Sequence, residues 1–154
     1  MIFILIINKE KDRKAIIEGL KEGTIDSIIT DHAPHAEFEK EKGLSSAPNG
    51  IIGFETVLSA EIMNLVDTGD LTYLDLVRVT SYNPAKLLKI DRGTIEEGKV
   101  ADITIFDPNE KYVYTKEMIV SKSKNSPVIG KELKGKVKYT IVGGRIVYGE
   151  NLEK

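Results

Sequence analysis

The sequence has no cysteine and only two histidines among its 154 residues. Without cysteine the chain forms neither disulfides nor thiolate metal sites, which fits a cytoplasmic protein. Any transition-metal site must therefore be built from His, Asp, Glu or a modified lysine. Both histidines lie in one stretch, IDSIITDHAPH, as His32 and His35. That stretch is the first place to look for chemistry.

The chain also lacks a strong excess of charge and a long apolar run. Its formal net charge is −2, which indicates neither a nucleic-acid partner nor binding to an anionic membrane. The apolar run MIFILII at residues 1–7 is far shorter than the roughly 20 residues of a membrane span. It has no basic region before it and no small-residue cleavage site, so it is not typical of a signal peptide. We interpret it as a buried β-strand.

The first part of the chain has the pattern of an α/β protein. Apolar residues at helical spacing predict a helix over residues 11–22, ended by Gly23. Residues 25–30 are β-branched with little alternation, which predicts a strand buried on both faces, as in parallel sheets. Further helices are predicted over residues 51–66, over residues 72–79 with Thr72 as N-cap, and from Pro84 to about residue 88.

After Ile90 the pattern changes to antiparallel β-structure. The predicted strands are residues 101–106, 111–114, 136–142 and 145–148, and Gly143–Gly144 is a two-residue hairpin turn. We therefore predict two domains, residues 1–90 and residues 91–154.

Asp31 is the first candidate for catalysis, because it follows the predicted strand 25–30. The carboxyl end of a parallel barrel strand is where such enzymes place catalytic groups. A carboxylate there can bind a divalent metal and exchange a proton with metal-bound water. His35 follows Pro34, which stiffens the loop that would aim its ring. Taken alone, a D-H-x-x-H triplet is more often an Asp that caps a turn beside packed histidines.

The neighbouring motifs favour a functional site over a turn-capping role for Asp31. DHAPH is followed by SSAPNGIIGFET, TSYNPAKLL, DRGTIEEGKVADITIFDP and SKSKNSPVIGKELKGKVKYTIVGGRIVY. Together these motifs, over residues 12–148, resemble the C-terminal part of dihydroorotase, an amidohydrolase of pyrimidine synthesis. The DRGTIEEGKVADITIFD block occurs across the amidohydrolase superfamily, whereas DHAPH with APNGIIGFET and SKSKNSP is typical of the dihydroorotase branch. Hydantoinases and allantoinases usually replace the second His of DHAPH, so His35 and SKSKNSP disfavour those branches.

The resemblance implies an α/β plus β fold. Residues 1–90 would be the C-terminal part of a (β/α)8 metal-dependent hydrolase barrel. Residues 91–154 would supply strands of a β-sandwich domain.

The resemblance also implies roles for individual residues. Asp31 would bind one metal of a zinc pair and act as general acid and base. His35 would contact the substrate carboxylate, and the backbone of Asn49 and Gly50 would line the substrate pocket. Asn49 departs from the family, whose members often have Phe there. His32 has no family role, and we interpret it as a packed, hydrogen-bonded side chain.

The reaction that the resemblance implies is the reversible closure of N-carbamoyl-L-aspartate to L-dihydroorotate, both small-molecule substrates. In the hydrolytic direction a metal-bridging hydroxide attacks the ring amide carbonyl. Asp31 would accept the hydroxide proton and deliver it to the leaving nitrogen.

Most of the family's metal ligands have no counterpart in this sequence. The family site also needs an H-x-H pair, a carboxylated lysine and two later histidines, whereas both histidines here are already assigned. A catalytic zinc takes about three protein ligands. We therefore expect this chain alone to bind little or no zinc and to be catalytically incomplete. Because the match breaks off at MIFILII, we expect a C-terminal fragment, through a frameshift, a misplaced start or a truncated chain.

Two further expectations concern partners. A fragment would expose strand edges and the apolar faces of residues 51–66, which predicts a homo-oligomer. MIFILII could supply a strand beside residues 25–30, within the chain or across a dimer. The alternative function is a non-catalytic dihydroorotase-like subunit or scaffold, completed by a partner chain such as a half-barrel or aspartate carbamoyltransferase.

Overall fold

The computed structural model describes residues 9–43 and 45–150, so the MIFILII run lies outside the described residues. Helices dominate up to Leu88, and strands follow. In chain order the helical elements are α1 Glu10–Glu22, α2 Glu37–Lys40, α3 Val57–Glu61 with a π-helical turn Ile62–Val66, α4 Tyr73–Val77 with a π-helical turn Arg78–Tyr82, and α5 Asn83–Leu88. The remaining elements are β1 Ile103–Val113, a 3₁₀ turn Lys116–Met118, β2 Glu132–Val142 and β3 Arg145–Gly149.

The predicted helix over residues 11–22 is confirmed as α1. Gly23 ends it in the left-handed conformation, with φ 80°, which glycine adopts without the cost that a Cβ would bring. Its buried face packs in a first core cluster formed by Ile17, Leu20, Leu65, Leu71 and Val79.

The predicted helix over residues 51–66 begins later than expected. Residues 51–53 are not helical, and the helix starts at Val57. The reason is that the backbone of this stretch bonds to other loops: Ile51 O accepts from Ala33 N at 3.0 Å, and Ile52 N donates to Asn125 O at 3.2 Å. These bonds hold residues 51–53 beside the Asp31–His35 loop.

The predicted N-cap at Thr72 is confirmed, because its hydroxyl accepts from Asp75 N at 3.2 Å and Asp75 Oδ2 accepts from Thr72 N at 3.0 Å. The helix does not end at residue 79, however. It continues through the π-helical turn into α5, so the helix predicted from Pro84 to about residue 88 is confirmed as α5 and follows the previous helix without a break. The wider π-helical turn just before α5 fits a residue that has no amide N–H to donate.

The prediction of a buried strand over residues 25–30 is wrong for the described part of the chain. Ile25 and Ile28 pack against the first core cluster, but Ile29 is 63% exposed. A strand needs a neighbour along its edge, and among the described residues Ile28 N donates instead to Val79 O of the helical layer, at 3.1 Å.

Strands β1, β2 and β3 form one antiparallel sheet in that order. The hairpin at Gly143–Gly144 is confirmed, with φ of 56° and 78°, the conformation that a type I′ turn requires. The two strands predicted over residues 101–106 and 111–114 are a single strand, β1. Register irregularities at Ile105/Phe106 and between Asp107 and Lys111 accommodate Pro108.

The sheet packs directly on α3. Ser59 Oγ donates to Gly135 O at 3.1 Å and lies 2.9 Å from the hydroxyl of Tyr112. A second core cluster joins Ile52 to residues that follow or belong to the sheet: Tyr114, Ile119, Val128 and Leu133. This packing brings residues 119–128 next to the loops around Asp31 and Gly50. Within residues 9–43 and 45–150, no helix is both long and apolar enough to cross a membrane.

Candidate functional site

Asp31 marks the change from the extended residues 25–30 to the DHAPH loop. It adopts φ 46°, in the left-handed region, and its side chain is exposed. Asp is one of the few residues other than glycine that tolerate this conformation, because its short polar side chain costs little there. The carboxylate is therefore presented to solvent at the start of the loop.

His35 and the loop at residues 49–50 lie in direct contact. His35 Nε2 is 2.9 Å from Asn49 O. A carbonyl oxygen only accepts, so Nε2 carries the proton and Nδ1 is the ring nitrogen without one in the neutral imidazole. Three of the four predicted site residues, His35, Asn49 and Gly50, thus form one cluster. Asp31 lies at the start of the same loop.

Gly50 is required by this arrangement. It has φ 106°, and a Cβ added to it would lie 2.5 Å from the Cβ of Ala33 and 3.7 Å from His35 Nε2. The close approach of the two loops therefore depends on the missing side chain.

His32 is the packed, hydrogen-bonded side chain that the sequence predicts. Its Nδ1 accepts from Gly53 N at 3.0 Å and from Phe54 N at 3.3 Å. The ring stacks on Phe54 with centroids 3.9 Å apart and planes at 7°. Because Nδ1 is an acceptor, Nε2 carries the proton of the neutral ring. His32 therefore fixes the start of the segment that leads into α3.

Asn125 is the residue that the sequence reasoning missed. Its Oδ1 accepts from His35 N at 3.3 Å, and its Nδ2 donates to Ala33 O at 2.9 Å and to Gly50 O at 3.3 Å. One side chain thus connects the DHAPH loop to the Asn49–Gly50 loop. Asn125 belongs to the SKSKNSP motif, which indicated a family but did not indicate that this side chain lies between the two loops.

Two charged side chains support the same loops. Lys40 of α2 donates to Pro48 O at 2.8 Å and to Gly50 O at 3.1 Å. Glu55 Oε1 accepts from Val120 N at 3.1 Å and from Ser121 N at 3.2 Å, which fastens the segment before Asn125. Neither contact is signalled by a local sequence pattern.

Replacing Gly50 with alanine tests the packing of the two loops. We expect Gly50→Ala to lower the free energy of unfolding by about 2–4 kcal/mol, combining left-handed strain with a collision against Ala33. Gly98→Ala is the matched control, since Gly98 has φ 81° but nothing within 4 Å of an added Cβ. It should cost only about 1–2 kcal/mol. Urea unfolding measures both, and equal losses would contradict the collision.

The described residues do not form a complete zinc site by themselves. Within residues 9–43 and 45–150, no group of three or more His, Asp or Glu side chains is placed to hold a metal ion. His32 Nδ1 and His35 Nε2 are both engaged by backbone groups, so these bonds leave the Asp31 carboxylate and His35 Nδ1 as possible ligand atoms of the predicted site. A catalytic zinc needs about three protein ligands, so the ligand set here is too small.

Comparison with known proteins identifies the family. The model of the amidohydrolase family matches residues 6–147. The chain belongs to the amidohydrolase family. The resemblance read from DHAPH, APNGIIGFET and SKSKNSP is confirmed by curated relatives. A dihydroorotase of Clostridium acetobutylicum is 55% identical over 142 residues, covering 92% of this chain and 34% of the relative. A dihydroorotase of Clostridioides difficile is 54% identical over 137 residues, covering 89% of this chain and 32% of the relative.

Solved amidohydrolase structures share the fold. The L-hydantoinase of Arthrobacter aurescens matches with a TM-score of 0.80 and 34% identity, over 90% of this chain and 32% of that one. A D-hydantoinase of Bacillus sp. AR9 matches with a TM-score of 0.81 and 27% identity, over 92% of this chain and 32% of that one. The fold is therefore a part of the amidohydrolase fold, and the chain spans about a third of the length of these relatives.

Proposed function

We propose that this chain supplies one wall of a dihydroorotase-type site, which interconverts L-dihydroorotate and N-carbamoyl-L-aspartate. The observation that carries the proposal is the cluster of His35, Asn49 and Gly50, in which His35 belongs to the loop that begins at the exposed Asp31. Relatives that are named dihydroorotases and are about half identical to this chain support the same reaction. They do not favour the alternative of a non-catalytic scaffold.

Each site residue has a distinct part in this proposal. Asp31 holds the proton that is delivered to the leaving ring nitrogen, as its exposed position at the start of the loop allows. His35 binds the substrate carboxylate. Because Nε2 donates to Asn49 O, Nδ1 is the ring atom left for this contact, and it donates only in the protonated ring. The backbone of Asn49 and Gly50 lines the pocket beside it.

The rest of the site comes from outside these 154 residues. The resemblance to dihydroorotase implies a zinc pair, which would activate the attacking water. Asp31 is the single zinc ligand that we assign in this chain, and we propose that the chain alone binds little or no zinc. A homo-oligomer or a partner chain would complete the site.

The proposal extends to the architecture. Residues 1–90 would belong to a (β/α)8 barrel and residues 91–154 to a β-sandwich, which the helical first part and the antiparallel β1–β3 sheet support. The absence of cysteine supports a cytoplasmic location.

A chimeric enzyme tests the assignment. Residues 9–150 of this chain would replace the matching third of the Clostridium acetobutylicum relative, and hydrolysis of dihydroorotate would be assayed together with zinc per chain by elemental analysis. We expect an active chimera, and a loss of about 100-fold or more in turnover for Asp31→Asn. Asp26→Asn, another exposed carboxylate on the same segment, should leave turnover unchanged. A folded, zinc-loaded chimera without activity, or an active Asp31→Asn variant, would refute the proposal.

A further inference from the structure

Three consecutive carbonyl oxygens of the Asn49–Gly50 loop accept hydrogen bonds from side chains. Lys40 Nζ donates to Pro48 O at 2.8 Å and to Gly50 O at 3.1 Å. Between them, His35 Nε2 donates to Asn49 O at 2.9 Å. All three carbonyl groups are therefore held from one side, by the DHAPH loop and by helix α2 that follows it.

A carbonyl oxygen that is held in this way also orients the N–H group of the same peptide. The described peptide bonds are trans, and in a planar trans peptide the C=O and N–H groups point in opposite directions. The N–H groups of Asn49, Gly50 and Ile51 therefore point away from the side chains that hold the three carbonyls. Within residues 9–43 and 45–150, none of them donates to another backbone group. They are available to a bound substrate.

The start of α2 places Lys40 beside the loop. Ala36 N donates to Glu39 Oε2 at 2.9 Å, and Lys40 N donates to Ala36 O at 3.2 Å, so this short turn is fixed directly after His35. Lys40 is half-buried, and no salt bridge among the described residues includes it. Its ammonium bonds to carbonyl oxygens instead, and charge-assisted bonds of this kind are roughly twice as strong as neutral ones.

Asn125 does not duplicate this role. Its Nδ2 also donates to Gly50 O, at 3.3 Å, but its other two bonds go to the DHAPH loop. In the part of the chain that the structure describes, Pro48 O accepts from Lys40 alone. Asn125 therefore joins the two loops, whereas Lys40 orients the peptide that leads into Asn49.

We propose that Lys40 is a positioning residue of the substrate pocket. Its ammonium orients the Asn49–Gly50 backbone, so that free N–H groups face the substrate and Asn49 O stays within reach of His35 Nε2. The inference rests on the proposed function, because the substrate is the one assigned there. The backbone of this loop contacts the substrate before and during the reaction alike, so the loss of Lys40 weakens binding more than proton transfer.

The ring of His35 reports the position of the loop without any need for activity. His32 and His35 are the only histidines, so nitrogen NMR of the full 154-residue chain follows each ring separately. At about pH 8, where an unperturbed imidazole is neutral, His35 should show one protonated and one unprotonated nitrogen. In Lys40→Met we expect these two shifts to move toward each other, because a weaker bond to Asn49 O lets both tautomers form. The His32 shifts should not move, and the control Lys42→Met, at an exposed position just past α2, should leave both rings unchanged.

Kinetics of the chimeric enzyme with dihydroorotate test the consequence for binding. We expect Lys40→Met to raise KM about 10-fold or more while kcat falls less than about 3-fold, the pattern of an interaction made equally in the ground state and the transition state. Lys40→Arg keeps a charged donor and should hold KM within about 3-fold of the unsubstituted chimera. Lys42→Met should change neither constant. Lys40→Gln, a milder change, should move KM and the His35 shifts in the same direction as Lys40→Met, and it decides the matter if Lys40→Met does not fold.

Unchanged His35 shifts or an unchanged KM in the Lys40 variants would overturn the inference. A loss in kcat larger than the change in KM would overturn it too, and so would an equal effect of Lys42→Met. An inactive unsubstituted chimera would refute the proposed function, whereas the His35 shifts in the 154-residue chain still decide the placement of Lys40.

Discussion

Replacing Asn125 with alanine is expected to lower the free energy of unfolding by about 3 kcal/mol. The substitution removes three side-chain hydrogen bonds, to Ala33 O, Gly50 O and His35 N. Each such bond contributes about 1 kcal/mol net, and the loss grows where a buried partner is left unpaired. Gly50 O keeps its bond from Lys40, so the loss falls mainly on Ala33 and His35.

Urea unfolding with a constant slope measures this change, and Asn109→Ala is the control. Asn109 is exposed in the irregular part of β1, so its replacement should alter stability by no more than about 0.5 kcal/mol. Asn125→Asp separates the two sides of the amide: it keeps the acceptor for His35 N but turns a carboxylate toward two carbonyl oxygens. We expect it to be no more stable than Asn125→Ala. If Asn125→Ala matched Asn109→Ala, the bridging role would be wrong.

Replacing Glu61 with glutamine is expected to stabilise the protein at pH 8 and to flatten its dependence on pH. Glu61 is only 7% exposed, and burial raises the pKa of its carboxyl group from 4.5 to about 7. Between these values the folded chain keeps a proton that the unfolded chain has released. The unfolded state therefore binds fewer protons, and the free energy of unfolding falls as the pH rises.

The size of the effect follows from the width of that interval. The pKa of Glu61 differs by about 2.5 between the unfolded and the folded chain, and each pKa unit corresponds to about 1.36 kcal/mol. The free energy of unfolding should therefore fall by about 3 kcal/mol between pH 4.5 and pH 8. Glutamine stays neutral, so the Glu61→Gln variant should lose this slope. Glu18→Gln, at an exposed position of α1, should keep the slope of the natural chain.

The measurement belongs between pH 5 and pH 8. Carboxylates paired with arginine or lysine, such as Asp70 with Arg13 and Glu110 with Lys138, have lowered pKa values and add the opposite slope at more acidic pH. A natural chain with constant stability from pH 5 to pH 8 would show that Glu61 is ionised and solvated when folded.

Sequence reasoning succeeded where local chemistry decides the conformation. The end of α1 at Gly23, the Thr72 cap and the Gly143–Gly144 hairpin each depend on residues within a few positions of one another. The strand over residues 25–30 failed because pairing along a sheet is not local. The predicted break in β1 failed because a bulge can absorb a proline that a regular strand excludes.

The candidate site was predictable in part for the same reason. DHAPH and APNG could be recognised as motifs, and the structure brings His35, Asn49 and Gly50 together. Asn125 bonds to His35 N across 90 positions of sequence, and no periodicity or spacing rule reaches that far. A long-range amide bridge becomes visible only when the loops are placed in space.

The atoms to which the Asn125 side chain bonds all belong to the main chain. Its partners are two carbonyl oxygens and one amide N–H, groups that almost every amino acid offers. Side chains at positions such as Asn49 can therefore be exchanged during evolution without dismantling the bridge, provided that Gly50 keeps its conformation. The contacts that hold the two loops together are therefore independent of the side chains that the loops display.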